Sequence, residues 1–225
     1  VCSSDLLINL GTPNAPTIGA VRRYLKEFLA DPRVISLPAP LRYLLLYGVI
    51  LPFRTRKSTH AYQSIWTKKG SPLLCHSHDL VNQLQERLRG KCKVVLGMRY
   101  GTPSLKDALL QLQDCSTITI LPLYPQYSSA ATGSSIEKIM QLIAPSAILP
   151  SLKIIRDFHD NDSFITAQSE LIKPYVSSHD YILFSYHGVP ERHILDGGCQ
   201  QVCANACPSA MADKACYRAQ CQHTT

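Results

Sequence analysis

The chain has 225 residues, 45% hydrophobic and 17% charged, with a formal net charge of +7. That suits one soluble domain of good size or two small ones. Its lysines and arginines are spread out, without basic runs carrying interleaved aromatics, which excludes nucleic acid as the expected partner. No apolar run reaches the roughly 18 residues that a membrane span needs. The chain opens on Val1 with no charged-then-apolar leader, so no signal peptide is expected; a missing authentic start is the equal alternative.

Leu6–Leu10 reads as a short apolar strand, broken by Gly11-Thr12-Pro13. Thr17 can cap a helix whose apolar face runs through Val21, Leu25, Phe28 and Leu29. The stretch 38–53 is apolar on nearly every side and bracketed by prolines, which predicts a helix of about three turns. Buried, it is core; exposed, it is a membrane-facing or hydrophobic-ligand lip. Arg54, Arg56 and Lys57 follow, either as a solvated basic turn or as cations at the edge of that patch. Gly70-Ser71-Pro72 reads as a turn, and a helix is predicted from Ser77 to Leu88, with His76 and His78 exposed at its start.

A repeating pattern follows. Strands are predicted at 93–98, 117–121, 152–155 and 181–184, and helices end near Gln113 and run over 134–143 and 163–175. Strands alternating with helices, each nearly continuously apolar, argue an α/β fold with a four- to five-stranded parallel sheet and helices on both faces. Crossover handedness puts the strand ends on one rim. Gly11–Pro13, Arg99-Tyr100, Tyr124–Ser128 and His187-Gly188 all fall just after predicted strands, so that rim is expected to form a cleft of cations, tyrosines, hydroxyls and one histidine. Its complement is a flat apolar molecule bearing carboxylates.

His187, directly after Tyr181–Tyr186, is either a structural histidine filling a strand end or a group that takes up protons or binds metal near neutral pH. No phosphate-cradling glycine loop and no Gly-x-Ser-x-Gly elbow occurs, which weakens nucleotide-binding and serine-hydrolase readings. Four cysteines are scattered (Cys2, Cys75, Cys92, Cys115), but Cys199, Cys203, Cys207, Cys216 and Cys221 crowd the last segment. Clustered thiols without a secretory leader point to metal or cluster binding more than to disulfides.

Read together, Leu7–Pro13, Tyr62–Trp66, Gly70–Leu73, Gly97–Gly101, Leu121–Ser128 and Ser185–Pro190 resemble, in order and over nearly the whole chain, the ferrochelatase family. The resemblance implies two similar doubly wound, Rossmann-like chelatase-type domains with a porphyrin cleft between them. Residues 1–180 would form the first, with a porphyrin-facing lip at 36–57. Residues 181–225 would carry the metal-site strand, the cysteine-rich insert and the start of a second domain that is largely missing. The chain would then be a fragment of low activity by itself, lacking the acidic residue opposite His187.

The implied reaction is insertion of ferrous iron, a substrate, into protoporphyrin IX, releasing two protons and giving protohaem. His187 would serve as metal ligand and base. Arg56 and Arg99 would pair with the porphyrin's carboxylates, and Ser71 and Tyr127 would donate hydrogen bonds to them or to the ring edge. For Arg99 the alternative is tying down its own loop, and for Tyr127 simple packing. The tail is similar to family members carrying a [2Fe–2S] cluster, with Cys199, Cys203, Cys207 and Cys216 as ligands; structural zinc and free thiols are the alternatives. Other readings are a chelatase for coproporphyrin III or another tetrapyrrole, and a haem carrier without chemistry. A cytoplasmic location is expected, with peripheral contact to the inner membrane through 38–53; oligomeric state stays open.

Overall fold

Four parallel strands carry the first part of the chain: β1 (Ser3–Thr12), β2 (Lys93–Gly101), β3 (Thr117–Pro122) and β4 (Ser151–Ile154), in the order β2-β1-β3-β4. The computed structural model describes residues 3–88, 90–199, 202–203 and 216–225. Two compact units divide the chain: Val1–Leu123 with Gly133–Ile155, and Tyr124–Thr132 with Arg156–Thr225. Among the described residues, no helix is long and apolar enough to cross a membrane.

In the first unit, helices α1 (Ile18–Ala30), α2 (Ala39–Leu45), α3 (Leu51–Ile65), α4 (Pro72–Leu88), α5 (Leu105–Leu110) and α6 (Ser134–Ile143) surround the sheet. Side chains alternate across each strand. Leu6, Ile8, Val95, Ile118 and Ile120 therefore meet α5 and α6 on one face. Leu7, Val94, Leu96 and Met98 meet Leu74, Val81, Leu84 and Leu88 of α4 on the other. Coverage on both sides is the physical reason Leu6–Ile8 and Val94–Leu96 lack a polar alternation, whereas β3 alternates threonine with isoleucine. The third apolar cluster joins Val21, Tyr24, Leu25 and Leu29 of α1 to Leu46, Leu51 and Tyr100. It fastens the α1–α3 layer over the end of β2.

Thr17 caps α1 as expected, its hydroxyl accepting from the Ala20 N–H at 3.4 Å. The α6 expectation also coincides with the helix found. Elsewhere the ends move. Pro52 does not stop the apolar helix: a π-helical turn over Leu46–Ile50 joins α2 to α3, which continues to Ile65. That wide turn accommodates a residue with no N–H to give, in the first turn of the segment it opens. Arg54, Arg56 and Lys57 consequently lie on a helix, not in a basic turn. Helix α4 begins at Pro72, not Ser77, because proline suits a helix's first turn, and His76 and His78 stand inside it, exposed. Helix α5 stops at Leu110, short of Gln113.

The second unit contains α7 (Asp162–Val176), α8 (Glu191–Asp196) and α9 (Tyr217–Thr224). A small apolar cluster of Ile194, Cys216 and Ala219 with Val189, Cys199, Val202 and Tyr217 holds α8 and α9 together. Phe158 meets Phe164 edge to face at 5.2 Å. The expected buried strand at 181–184 is not formed: residues 181–190 are irregular and pair with no strand, and the sheet has four strands among the described residues, within the expected four to five. Tyr181 and Leu183 are each 91% exposed, whereas Ile182 and Phe184, one residue out of phase, are 44% and 39% exposed. The alternation of a strand is present, but a strand without ladder partners leaves its backbone to solvent and is not defined.

Candidate functional site

At the carboxyl ends of β1 and β2 the two backbones press together at glycines. Gly11 has φ +109°, and a Cβ placed on it would lie 1.8 Å from the Tyr100 carbonyl oxygen. Gly101, at φ +86°, faces the Thr12 carbonyl in the same way, at 2.8 Å. Only glycine fits such positions. A small cavity of about 210 Å³ opens beside them, lined by Thr12, Asn14, Arg23, Tyr24, Glu27 and Thr102 among others. Asn14 accepts from the Thr102 hydroxyl at 2.8 Å, and Glu27 accepts from the Gly101 N–H at 3.0 Å.

Arg99 sits at this end of β2, in an ion pair. Its Nη2 donates to Asp31 Oδ2 at 2.6 Å, and its Nε donates to the Ser134 hydroxyl at 2.7 Å and carbonyl at 3.1 Å. The guanidinium lies over the Tyr100 ring, 4.4 Å from its centre. The same Asp31 oxygen accepts from the Tyr100 hydroxyl at 2.9 Å and the Ser134 hydroxyl at 2.5 Å, while Oδ1 accepts from the Arg33 N–H at 2.7 Å. Burial raises the Asp31 pKa, but the bonds from Ser134, the Arg33 N–H and Tyr100, with the Arg99 charge, outweigh it and hold the carboxyl below its ordinary value. Burial pushes the Tyr100 phenol well above its usual range, so it stays a donor. Neither Asp31 nor Ser134 was flagged in the sequence; their chain positions are too far from Arg99 for any local pattern.

Arg56 projects from α3, exposed, and Ser71 is buried at the head of α4, its carbonyl accepting from the Cys75 N–H at 3.0 Å. Among the described residues no hydrogen bond or ion pair joins any two of Arg56, Ser71 and Arg99. The lip is open on one side: Leu46 and Leu51 are buried, while Leu44 is 69% and Phe53 76% exposed, alongside exposed Leu41, Tyr43, Tyr47 and Val49.

In the second unit, Tyr127 is half-buried, and its backbone N–H donates to the Gln220 side-chain oxygen at 2.6 Å. His187 is exposed, not walled in at a strand end. Its Nδ1 lies 2.6 Å from the Gly188 carbonyl, which can only accept, so Nδ1 is the donor of that bond. The Tyr217 phenol lies beside the His187 backbone and Cys221, and burial together with Cys221 and Tyr186 pushes its pKa up to about 12. Neither Gln220 nor Tyr217 stands out in the sequence.

Of the expected cluster ligands, Cys207 lies outside the described residues, as does Cys2 among the scattered thiols. Cys199 and Cys216 meet in the apolar cluster of α8 and α9. Cys203 is half-buried, and its carbonyl accepts from Arg218. Among the described residues no three His, Cys, Asp or Glu side chains gather as a metal site, so the thiols described do not by themselves make a cluster cradle. Cys221, buried next to Tyr217, has its thiol pKa raised mainly by that burial.

The family model for ferrochelatase matches residues 5–225. A ferrochelatase of Legionella pneumophila (strain Philadelphia 1) is 57% identical over 221 residues, covering 98% of this chain and 67% of the relative. One from Coxiella burnetii (strain Dugway 5J108-111) is 42% identical over 228 residues, covering 98% of this chain and 63% of the relative. The chain thus spans about two-thirds of the length of these relatives. With a doubly wound parallel sheet and a family match over almost all its residues, the chain belongs to the ferrochelatase family.

Proposed function

We propose that the protein carrying this chain inserts ferrous iron into protoporphyrin IX, giving protohaem, as a lyase-type enzyme of haem formation. The observation that carries this reading is the family match across residues 5–225. In the reaction two pyrrole N–H bonds break as the metal binds the ring nitrogens, and two protons leave. His187 is the proposed group at the metal, supported by its exposure: neutral imidazole is a good ferrous ligand and, when not bound to metal, can take a proton. Arg56, Ser71 and Tyr127 are the proposed contacts to the porphyrin's carboxylates and ring edge. For Arg99, the Asp31 pairing favours the loop-fastening role over direct carboxylate contact.

The exposed lip Leu41–Phe53, followed by Arg54, Arg56 and Lys57, is the proposed seat of an apolar substrate edge or a peripheral membrane contact. The proposed second domain, begun at residue 181, would give the unpaired stretch Tyr181–Tyr186 its ladder. A [2Fe–2S] cluster on Cys199, Cys203, Cys207 and Cys216 rests on the crowding of thiols alone, and no step of the reaction is routed through it. The test of the main reading is anaerobic incubation of the full-length protein with ferrous iron and protoporphyrin IX. Haem absorption should replace porphyrin fluorescence; unchanged fluorescence with bound porphyrin would reduce the protein to a carrier.

A further inference from the structure

Helix α9 closes the cysteine-rich segment, and apart from Cys221 its residues have had no assigned role in the proposed reaction. Yet both candidate groups of the second unit are fastened to it. Gln220 is fully buried, and its side-chain oxygen takes the Tyr127 N–H at 2.6 Å. One turn on, Thr224 Oγ accepts from the Gln126 side-chain amide at 2.9 Å and donates to the Gln220 carbonyl at 2.9 Å. The loop these bonds hold contains Pro125, which has no N–H to offer and whose carbonyl accepts from the Phe158 N–H at 3.0 Å. One turn back, Tyr217 lies beside the backbone of His187. Thr225, just past the helix, bonds the Tyr186 hydroxyl at 3.1 Å.

Positions 217, 220 and 224 recur at helical spacing, so one stripe of a short helix faces both segments.

We propose that α9 is the positioning element of the site, Gln220 setting the backbone that carries Tyr127 and Tyr217 setting the backbone that carries His187. This rests on the function proposed above and assigns each residue a separate consequence. Gln220 acts through a substrate-binding tyrosine, so its loss is felt in substrate affinity. Tyr217 acts through the metal-site histidine, so its loss is felt in turnover.

The test is steady-state metallation by the full-length protein, with protoporphyrin IX as the varied substrate. Gln220→Met keeps length and removes the acceptor; KM should rise about five- to tenfold with kcat within about twofold of wild type, as expected for losing one buried hydrogen bond. Gln220→Glu restores an acceptor and should bring KM back to within about threefold. Tyr217→Phe should lower kcat about tenfold and leave KM near its original value. Parallel losses in both parameters for both variants, tracking a lowered melting temperature, would mean a merely structural helix and overturn the inference. So would wild-type constants in all three. The reference variants Tyr127→Phe and His187→Ala separate this from the underlying reading: if neither alters kinetics, the function assignment falls and takes α9's role with it.

Discussion

Replacing Asp31 by Asn removes one charge and almost no volume from the centre of the β2 rim. The carboxylate accepts four hydrogen bonds, from Arg99, Tyr100, Ser134 and the Arg33 N–H, and its side chain is 5% exposed against 13% for Arg99. An amide offers one acceptor oxygen and turns two donors toward a set of donors, and the guanidinium is left without its counter-charge. Breaking a buried pair from one side costs about 3–5 kcal/mol. That is a large share of a total folding stability of about 5–15 kcal/mol. Removing both ends should be milder: Asp31→Asn combined with Arg99→Met should cost less than the sum of the two single changes by about 1–3 kcal/mol. Urea unfolding of the four proteins in this cycle, at pH 7, measures both quantities. The pH dependence has a fixed sign. A carboxyl whose folded pKa lies below its unfolded value contributes its stability fully above the unfolded value, about 3.9, and loses it as pH falls through the lower folded value. The Asp31→Asn penalty should therefore shrink in acid below about pH 4. A single-variant cost under about 1 kcal/mol, or strict additivity in the cycle, would refute the view of Asp31 as the keystone of this rim.

Gly11→Ala should prevent stable folding, at a cost of about 4 kcal/mol or more, because its Cβ would collide with the Tyr100 carbonyl; loss of soluble protein against an unaffected Gly48→Ala control checks it. Leu44→Ser with Phe53→Ser should abolish cosedimentation with phosphatidylglycerol vesicles and leave the melting temperature within about 2 °C, since both side chains are exposed. Anaerobically purified protein should be brown, with visible absorption lost on Cys216→Ser, if the tail thiols hold the proposed cluster; a colourless protein with stoichiometric zinc would assign them to zinc.

The sheet was legible because helices on both faces favour strands that are apolar on both sides, and Leu6–Ile8 and Val94–Leu96 carry that mark. The first helix was legible through Thr17. Proline misled twice: at Pro52 a π-helical turn removed the obstacle, and at Pro72 the residue opened a helix instead of marking a loop. Tyr181–Phe184 had a strand's composition, but pairing is a property of neighbours, and none is present among the described residues. Arg99 and His187 were candidates from their motifs. Asp31 and Gln220 were not, since they lie 68 and 93 positions from the residues they hold and only the folded backbone brings them near.

The most direct measurement is single-turnover metallation in the full-length protein, mixing the porphyrin-bound form with ferrous iron and following loss of porphyrin fluorescence. His187→Ala should slow that step by about a hundredfold or more while porphyrin stays bound with unchanged affinity. A His187→Ala protein that metallates at the wild-type rate would contradict the assignment of that imidazole to the metal.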